Sequence, residues 1–172
     1  MKLGKLAAIL MIGAAETLAE TPTHQILVSI PDRKLVLLED GKVKKVYSIA
    51  VGKDSTPSPT GTFHIASRVQ NPTWYGPHVV VPPGKANPLG TRWMGLGFKG
   101  YGIHGTNAPR SIGKAASHGC IRMRIQDVEE LFSMVSVGDE VYLIGERNEQ
   151  IAKVLPDVPA ATVIAEVSGG GQ

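Results

Sequence analysis

Two short stretches of this chain hold residues able to do chemistry together: Ile103-His104-Gly105-Thr106, and Ser117-His118-Gly119-Cys120-Ile121-Arg122-Met123. The second contains the single cysteine of 172 residues, two positions after a histidine, and the first places another histidine beside a glycine. A thiol is a strong nucleophile only as thiolate, and a nearby imidazole both removes its proton and stabilises the resulting charge. The pattern therefore reads as a thiol enzyme with Cys120 attacking. His104 and Cys120 stand 16 positions apart, too far to meet along one helix, so a fold must bring them together. Gly105 and Gly119 let the backbone turn sharply beside each reactive side chain, and at Gly119-Cys120 main-chain N–H groups can face a developing oxyanion.

Other roles for the same residues carry less weight. Free cysteines are among the most buried residue types, and a lone one is often an inert core residue. The histidines and glycines around Cys120 shift the reading to a nucleophile. One cysteine and two histidines without tight ligand spacing match structural zinc sites poorly, so neither a metal nor another cofactor is expected.

At these residues the chain resembles the L,D-transpeptidase catalytic domain family of the YkuD type, whose signature is His-Gly, a spacer, then Ser-His-Gly-Cys. The resemblance runs over residues 24–145 and includes Thr56-Pro57-Ser58-Pro59-Thr60-Gly61-Thr62-Phe63 and Asn87-Pro88-Leu89-Gly90. It implies Cys120 as nucleophile, His104 as general base, and the carbonyl of Gly105 as the group that orients the base. A carbonyl can hold an imidazole in one tautomer without a carboxylate. The implied substrate is a peptidoglycan stem peptide. Cys120 would attack the third residue of a tetrapeptide, expel D-alanine, and pass the acyl group to an amine in a 3-3 cross-link. Arg122 is the candidate for a substrate carboxylate, since a guanidinium presents a matching fork of donors. Substrate contact is also assigned to His118, with bracing of the cysteine loop as its alternative, and to Ser117, which with Thr106 also reads as a loop hydrogen-bonder. The oxyanion site falls on Gly119 and Cys120. His64 and His78 read as ordinary solvated side chains. A degenerate wall-binding module is the non-enzymatic alternative, and the same acyl-enzyme would also serve a carboxypeptidase or a protein-anchoring enzyme.

Composition narrows the field. With 42% hydrophobic and 19% charged residues the chain suits one globular domain with a real core. Its formal charge is only +3 and its eighteen basic residues are scattered, which argues against a nucleic-acid partner. Lys2 and Lys5 precede the apolar run of residues 6–15, and Thr17-Leu18-Ala19 supplies small residues before Glu20. Residues 1–19 are thus expected to be an export signal, giving a product in the periplasm or cell wall without stable membrane insertion. The apolar run is shorter than the roughly 20 residues that span a bilayer.

Along the rest of the chain, alternation predicts strands at residues 25–30, 34–38, 42–51 and 62–69, with a tight turn at Asp40-Gly41. Residues 70–92, rich in Pro, Gly and Asn, read as a structured loop forming a lid, with a short strand at 78–81. Strands at 93–98 and 101–104 would deliver His104. Val128, Leu131, Phe132 and Val135 have helical spacing, with Asp127, Glu129 and Glu130 at the first turn. A last strand follows at 140–144, and residues 146–172 form an extension with a flexible end. The fold class expected is mainly β, sharpened by the resemblance to a β-sandwich of mixed sheets with one packed α-helix.

Overall fold

The computed structural model describes residues 23–98 and 100–156. The expected export signal at 1–19 and the end of the C-terminal extension lie outside the described residues. In chain order the strands are β1 (His24–Ser29), β2 (Lys34–Glu39), β3 (Lys42–Ser48), β4 (Val51–Gly52), β5 (Gly61–His64), β6 (Ser67–Gln70), β7 (Trp74–Tyr75) and β8 (Val80–Val81). There follow β9 (Arg92–Gly95), β10 (Gly102–His104), β11 (Ala115–Ser117), β12 (Ile121–Arg122), helix α1 (Ile125–Met134), β13 (Glu140–Ile144) and helix α2 (Glu149–Val154).

Two sheets enclose the main core. One has the order β3-β2-β1-β13-β5, and the other β12-β10-β9-β6. The first is mixed, because β1 pairs with β2 antiparallel across the 30–33 connection and with β13 in parallel, while the Asp40-Gly41 turn joins β2 to antiparallel β3. Alternate side chains of a strand face opposite sides of its sheet. Ile26, Val28, Leu35 and Leu37 accordingly enter the core with Met94, Ile103 and Ile121 of the second sheet and Val128 and Leu131 of α1. The expected sandwich with a packed helix is the architecture found.

Four details differ from the sequence reading. The strand expected over 62–69 is two strands in different sheets. The switch occurs between neighbours: the Ile65 N–H donates to Asp139 O, whereas the Ala66 N–H donates to Gly95 O. The expected strand over 42–51 also breaks, and β4 pairs with β11 in a separate two-stranded sheet. Val46, an apolar position of that expected strand, lies exposed on β3 and not in a core. Finally, Glu129 and Glu130 lie beyond the first turn of α1 and reach the sheets instead, pairing with Arg92 at 3.7 Å and Lys45 at 2.7 Å.

The chain also continues past β13 into an element the sequence reading did not contain. Asn148 caps α2, its Oδ1 accepting the Ile151 N–H at 3.1 Å. Ile151 and Leu155 then pack with Leu27, Val36 and Leu38 on the outer face of the first sheet. Arg147 secures this layer, reaching Asp32 Oδ1 at 3.1 Å and donating to the Leu155 carbonyl. Among the described residues no helix is long and apolar enough to cross a membrane.

Candidate active site

The site is built on the outward face of the second sheet. β10 pairs β12 in parallel with Ile103 beside Ile121 and His104 beside Arg122. Register partners share a face, so the two isoleucines enter the core together and His104 and Arg122 emerge together. One further step of the alternation brings Cys120 to the His104 side. The Gly102 backbone and the Arg122 guanidinium both act on its thiol, and Arg122 acts on His104 as well. On the other flank, β9 places Trp93 opposite His104 and Gly95 opposite Gly102. The fold thus gathers His104, Cys120 and Arg122 from both sequence stretches.

His104 is only 4% exposed and its Nδ1 lies 2.5 Å from the carbonyl oxygen of Gly105. A carbonyl can only accept, so Nδ1 carries the proton and Nε2 presents a lone pair. Burial pushes the imidazole pKa down to about 4; the Arg122 charge works in the same direction and the Gly105 carbonyl against it. The ring is therefore neutral at pH 7 and able to accept a proton at Nε2. Burial also pushes the Cys120 thiol up, opposed by the Gly102 backbone and Arg122, and its Sγ lies 3.3 Å from Gly100 O. The resting pair is thus a thiol beside a neutral imidazole, and a thiolate would require transfer of the proton.

The loop before the cysteine departs from expectation in two respects. Ser117, assigned to substrate, is 1% exposed; its Oγ donates to Cys120 O at 2.6 Å and accepts the Gly119 N–H at 3.0 Å. That is the loop hydrogen-bonding role also read for it, and burial leaves it no surface for a ligand. The Gly119 N–H, assigned to the oxyanion site, is consumed by that bond, which leaves the Cys120 N–H as the main-chain donor of the pair. His118 is exposed, so the bracing considered for it falls to Ser117. Thr106 Oγ1 accepts the Ala108 N–H at 3.0 Å, the loop role expected of it.

Two motifs without reactive groups turn out to support this loop and the base. Thr56 Oγ1 donates to Ser117 O at 3.2 Å, and the Gly52 N–H donates to Ser58 Oγ at 2.9 Å, fastening the Thr56-Pro57-Ser58 turn beneath Gly119. Gly119 has φ +110°, and a Cβ there would lie 2.5 Å from Tyr101 Cε1. In the 71–91 connection, Asn87 Nδ2 donates to Pro72 O at 2.8 Å and Val81 O at 3.1 Å, while its Oδ1 accepts the Leu89 N–H. That bonding holds the β7–β8 hairpin and sends Leu89-Gly90 back against Gly105, where a Gly90 Cβ would meet Gly105 Cα at 3.0 Å. Over the open face, a groove of about 350 Å³ lies between Trp93, Phe98 and Tyr101 and is floored by Gly95.

The same residues fall within a match to the L,D-transpeptidase catalytic domain (YkuD) family model over residues 23–143. The chain belongs to this family. It is 46% identical over 121 residues to a putative L,D-transpeptidase, YkuD, of Bacillus subtilis, covering 70% of this chain and 66% of the relative. A second putative L,D-transpeptidase of that organism, YqjB, is 37% identical over 153 residues, covering 84% of this chain and 86% of the relative. Among solved structures, the Ldtfm-avibactam carbamoyl enzyme superposes with TM-score 0.63 at 29% identity, over 72% of this chain and 49% of that one. An Enterococcus faecium L,D-transpeptidase mutant gives TM-score 0.62 at 27% identity, over 71% and 50%. The chain thus spans about half the length of these solved family members.

Proposed function

We propose that this protein is a peptidoglycan L,D-transpeptidase in which Cys120 carries the acyl group and His104 moves the proton. The observation that carries this reading is the shared sheet face: His104, tautomerically fixed by Gly105, beside Cys120 and Arg122. In the first half-reaction the Cys120 sulfur bonds to the carbonyl carbon of the third residue of a tetrapeptide stem while its proton passes to His104 Nε2. The Cys120 N–H faces the oxyanion. Collapse breaks the bond to the terminal D-alanine, whose nitrogen takes the proton back from His104, leaving a thioester. In the second half an acceptor amine attacks the thioester, gives its proton to His104, and the sulfur departs and is reprotonated. Arg122 anchors a stem carboxylate, and exposed His118 meets substrate at the rim.

The relative caught as an avibactam carbamoyl enzyme supports covalent capture of strained acyl donors by this kind of site. Peptidoglycan lies outside the cytoplasm, which is consistent with export through residues 1–19. In this reading residues 24–145 form the catalytic domain and 146–172 its extension. The test is to incubate the protein with purified disaccharide-tetrapeptide and resolve the products by mass. A cross-linked dimer with loss of one D-alanine is expected. Tripeptide alone would make water the acceptor and the protein a carboxypeptidase, and unchanged tetrapeptide would sink the assignment.

A further inference from the structure

The reaction above leaves Trp93 without a task, although its surroundings are shaped to hold it. Trp93 is the cross-strand partner of His104, and the two rings stack with centroids 5.6 Å apart and planes inclined by 26°. That separation lies in the favourable range for aromatic pairs. Beneath the indole, the next same-face pair along β9 and β10 is Gly95 and Gly102. A Cβ on Gly102 would lie 2.7 Å from Trp93 Cη2 and Cζ2, and one on Gly95 would lie 3.2 Å from Nε1. A side chain at Gly102 would therefore displace the ring, and one at Gly95 would strike Ser67 Oγ, at 2.6 Å, and crowd the indole edge.

We propose that Trp93 is a positioning residue for His104: seated on the Gly95 and Gly102 pair, the indole fixes the plane of the imidazole and shuts water away from it. The bond to Gly105 O restrains one edge of the imidazole. Rotation about the ring's own side-chain bond is otherwise soft, and a tilted ring would aim the Nε2 lone pair away from the thiol. The indole contact opposes that tilt from the face. Exclusion of water is the same effect that depresses the His104 pKa, for which burial is the leading cause. The charged and titratable groups beside His104 are Arg122 on β12 and the Cys120 thiol preceding it. Neither belongs to the strand that carries Trp93, so changing Trp93 leaves both in place.

The kinetic part of the inference rests on the transpeptidase reading, whereas the titration part does not. Histidine-labelled protein of full length is titrated by NMR through the imidazole Cε1–H signals, in the parent and in Trp93→Leu and Trp93→Phe. In Trp93→Leu, His104 is expected to titrate at least about one pH unit higher as water reaches the ring. Trp93→Phe, which restores a flat face, should recover most of the difference. Turnover of tetrapeptide by Trp93→Leu should fall about tenfold or more in kcat with KM within about twofold, as expected for lost orientation. The acid limb of its kcat profile should move upward with the NMR value. An unchanged His104 titration and acid limb in Trp93→Leu, or a loss confined to KM, overturns the proposal. If Trp93→Leu gives no cooperative melt, Trp93→Met, which also removes the flat face, decides, and a His104 titration identical to the parent's in that variant counts against the proposal. A shifted titration in protein that turns over no stem peptide sustains the positioning role and contradicts the proposed function.

Discussion

The two main sheets solve different problems with the same alternation. In the five-stranded sheet both faces of β1 and β2 are apolar: Ile26, Val28 and Leu35 point into the core, and Leu27, Val36 and Leu38 point to the α2 layer. In the four-stranded sheet only one face is apolar. Met94, Ile103 and Ile121 enter the core, while the opposite face presents Trp93, Gly95, Gly102, His104 and Arg122. Burial on one side fixes register, since a one-residue slip would send the isoleucines out and His104 in. The core side of the second sheet thereby sets the relative position of groups that are 16 residues apart in sequence.

Substitutions should separate the two sheets. On the reactive face, Cys120→Ala should abolish turnover with an unchanged melting profile, and His104→Ala should lower it by about 10²-fold or more. His104 also links the face to acid stability. Its pKa is lowered to about 4 in the folded protein, so below pH 6.5 the unfolded chain takes the proton first, and stability falls until about pH 4. The loss totals about 3 kcal/mol, and acid titration of His104→Ala should lack it. Retention of activity in Cys120→Ala would remove the thiol mechanism altogether.

A smaller effect is expected from Gly119→Ala. Its φ of +110° and the approach of Tyr101 both oppose a Cβ, so the cysteine loop must shift. Roughly 1–3 kcal/mol of strain and at least about tenfold lower turnover are expected, read by melting and kinetics. In the other sheet, Ile151→Ala should cost about 2–5 kcal/mol in a denaturant melt and leave turnover unaltered below the transition. Altered kinetics there would mean that the α2 layer and the reactive face are not independent.

The reactive residues were legible because thiol chemistry needs few residue types and a single cysteine carries them. The strands at 25–30 and 140–144 and the helix around Val128 were legible because their apolar spacing answers to one core. The break at Ile65 and Ala66 was hidden because Phe63 and Ile65 face the core and Val69 keeps their odd-numbered spacing, although after the chain changes sheet Val69 lies exposed beside Trp93 on the outward face. Helix α2 spans six residues, too short for periodicity, and depends on a cap and on packing against a sheet already formed. The fate of the Gly119 N–H turns on one serine rotamer, which sequence does not specify. Trp93 was missed as part of the site, although glycine two residues after it and two before His104 was the available signal for a seated ring.

The central claim is that Cys120 itself becomes acylated by a stem peptide. Intact-protein mass measured after mixing with disaccharide-tetrapeptide and quenching in acid tests it most directly. The account predicts a transient adduct equal to the stem minus D-alanine, mapped to Cys120, lost on adding hydroxylamine and absent from Cys120→Ala. D-alanine release with no adduct in the parent at any time, and undiminished release by Cys120→Ala, would contradict it.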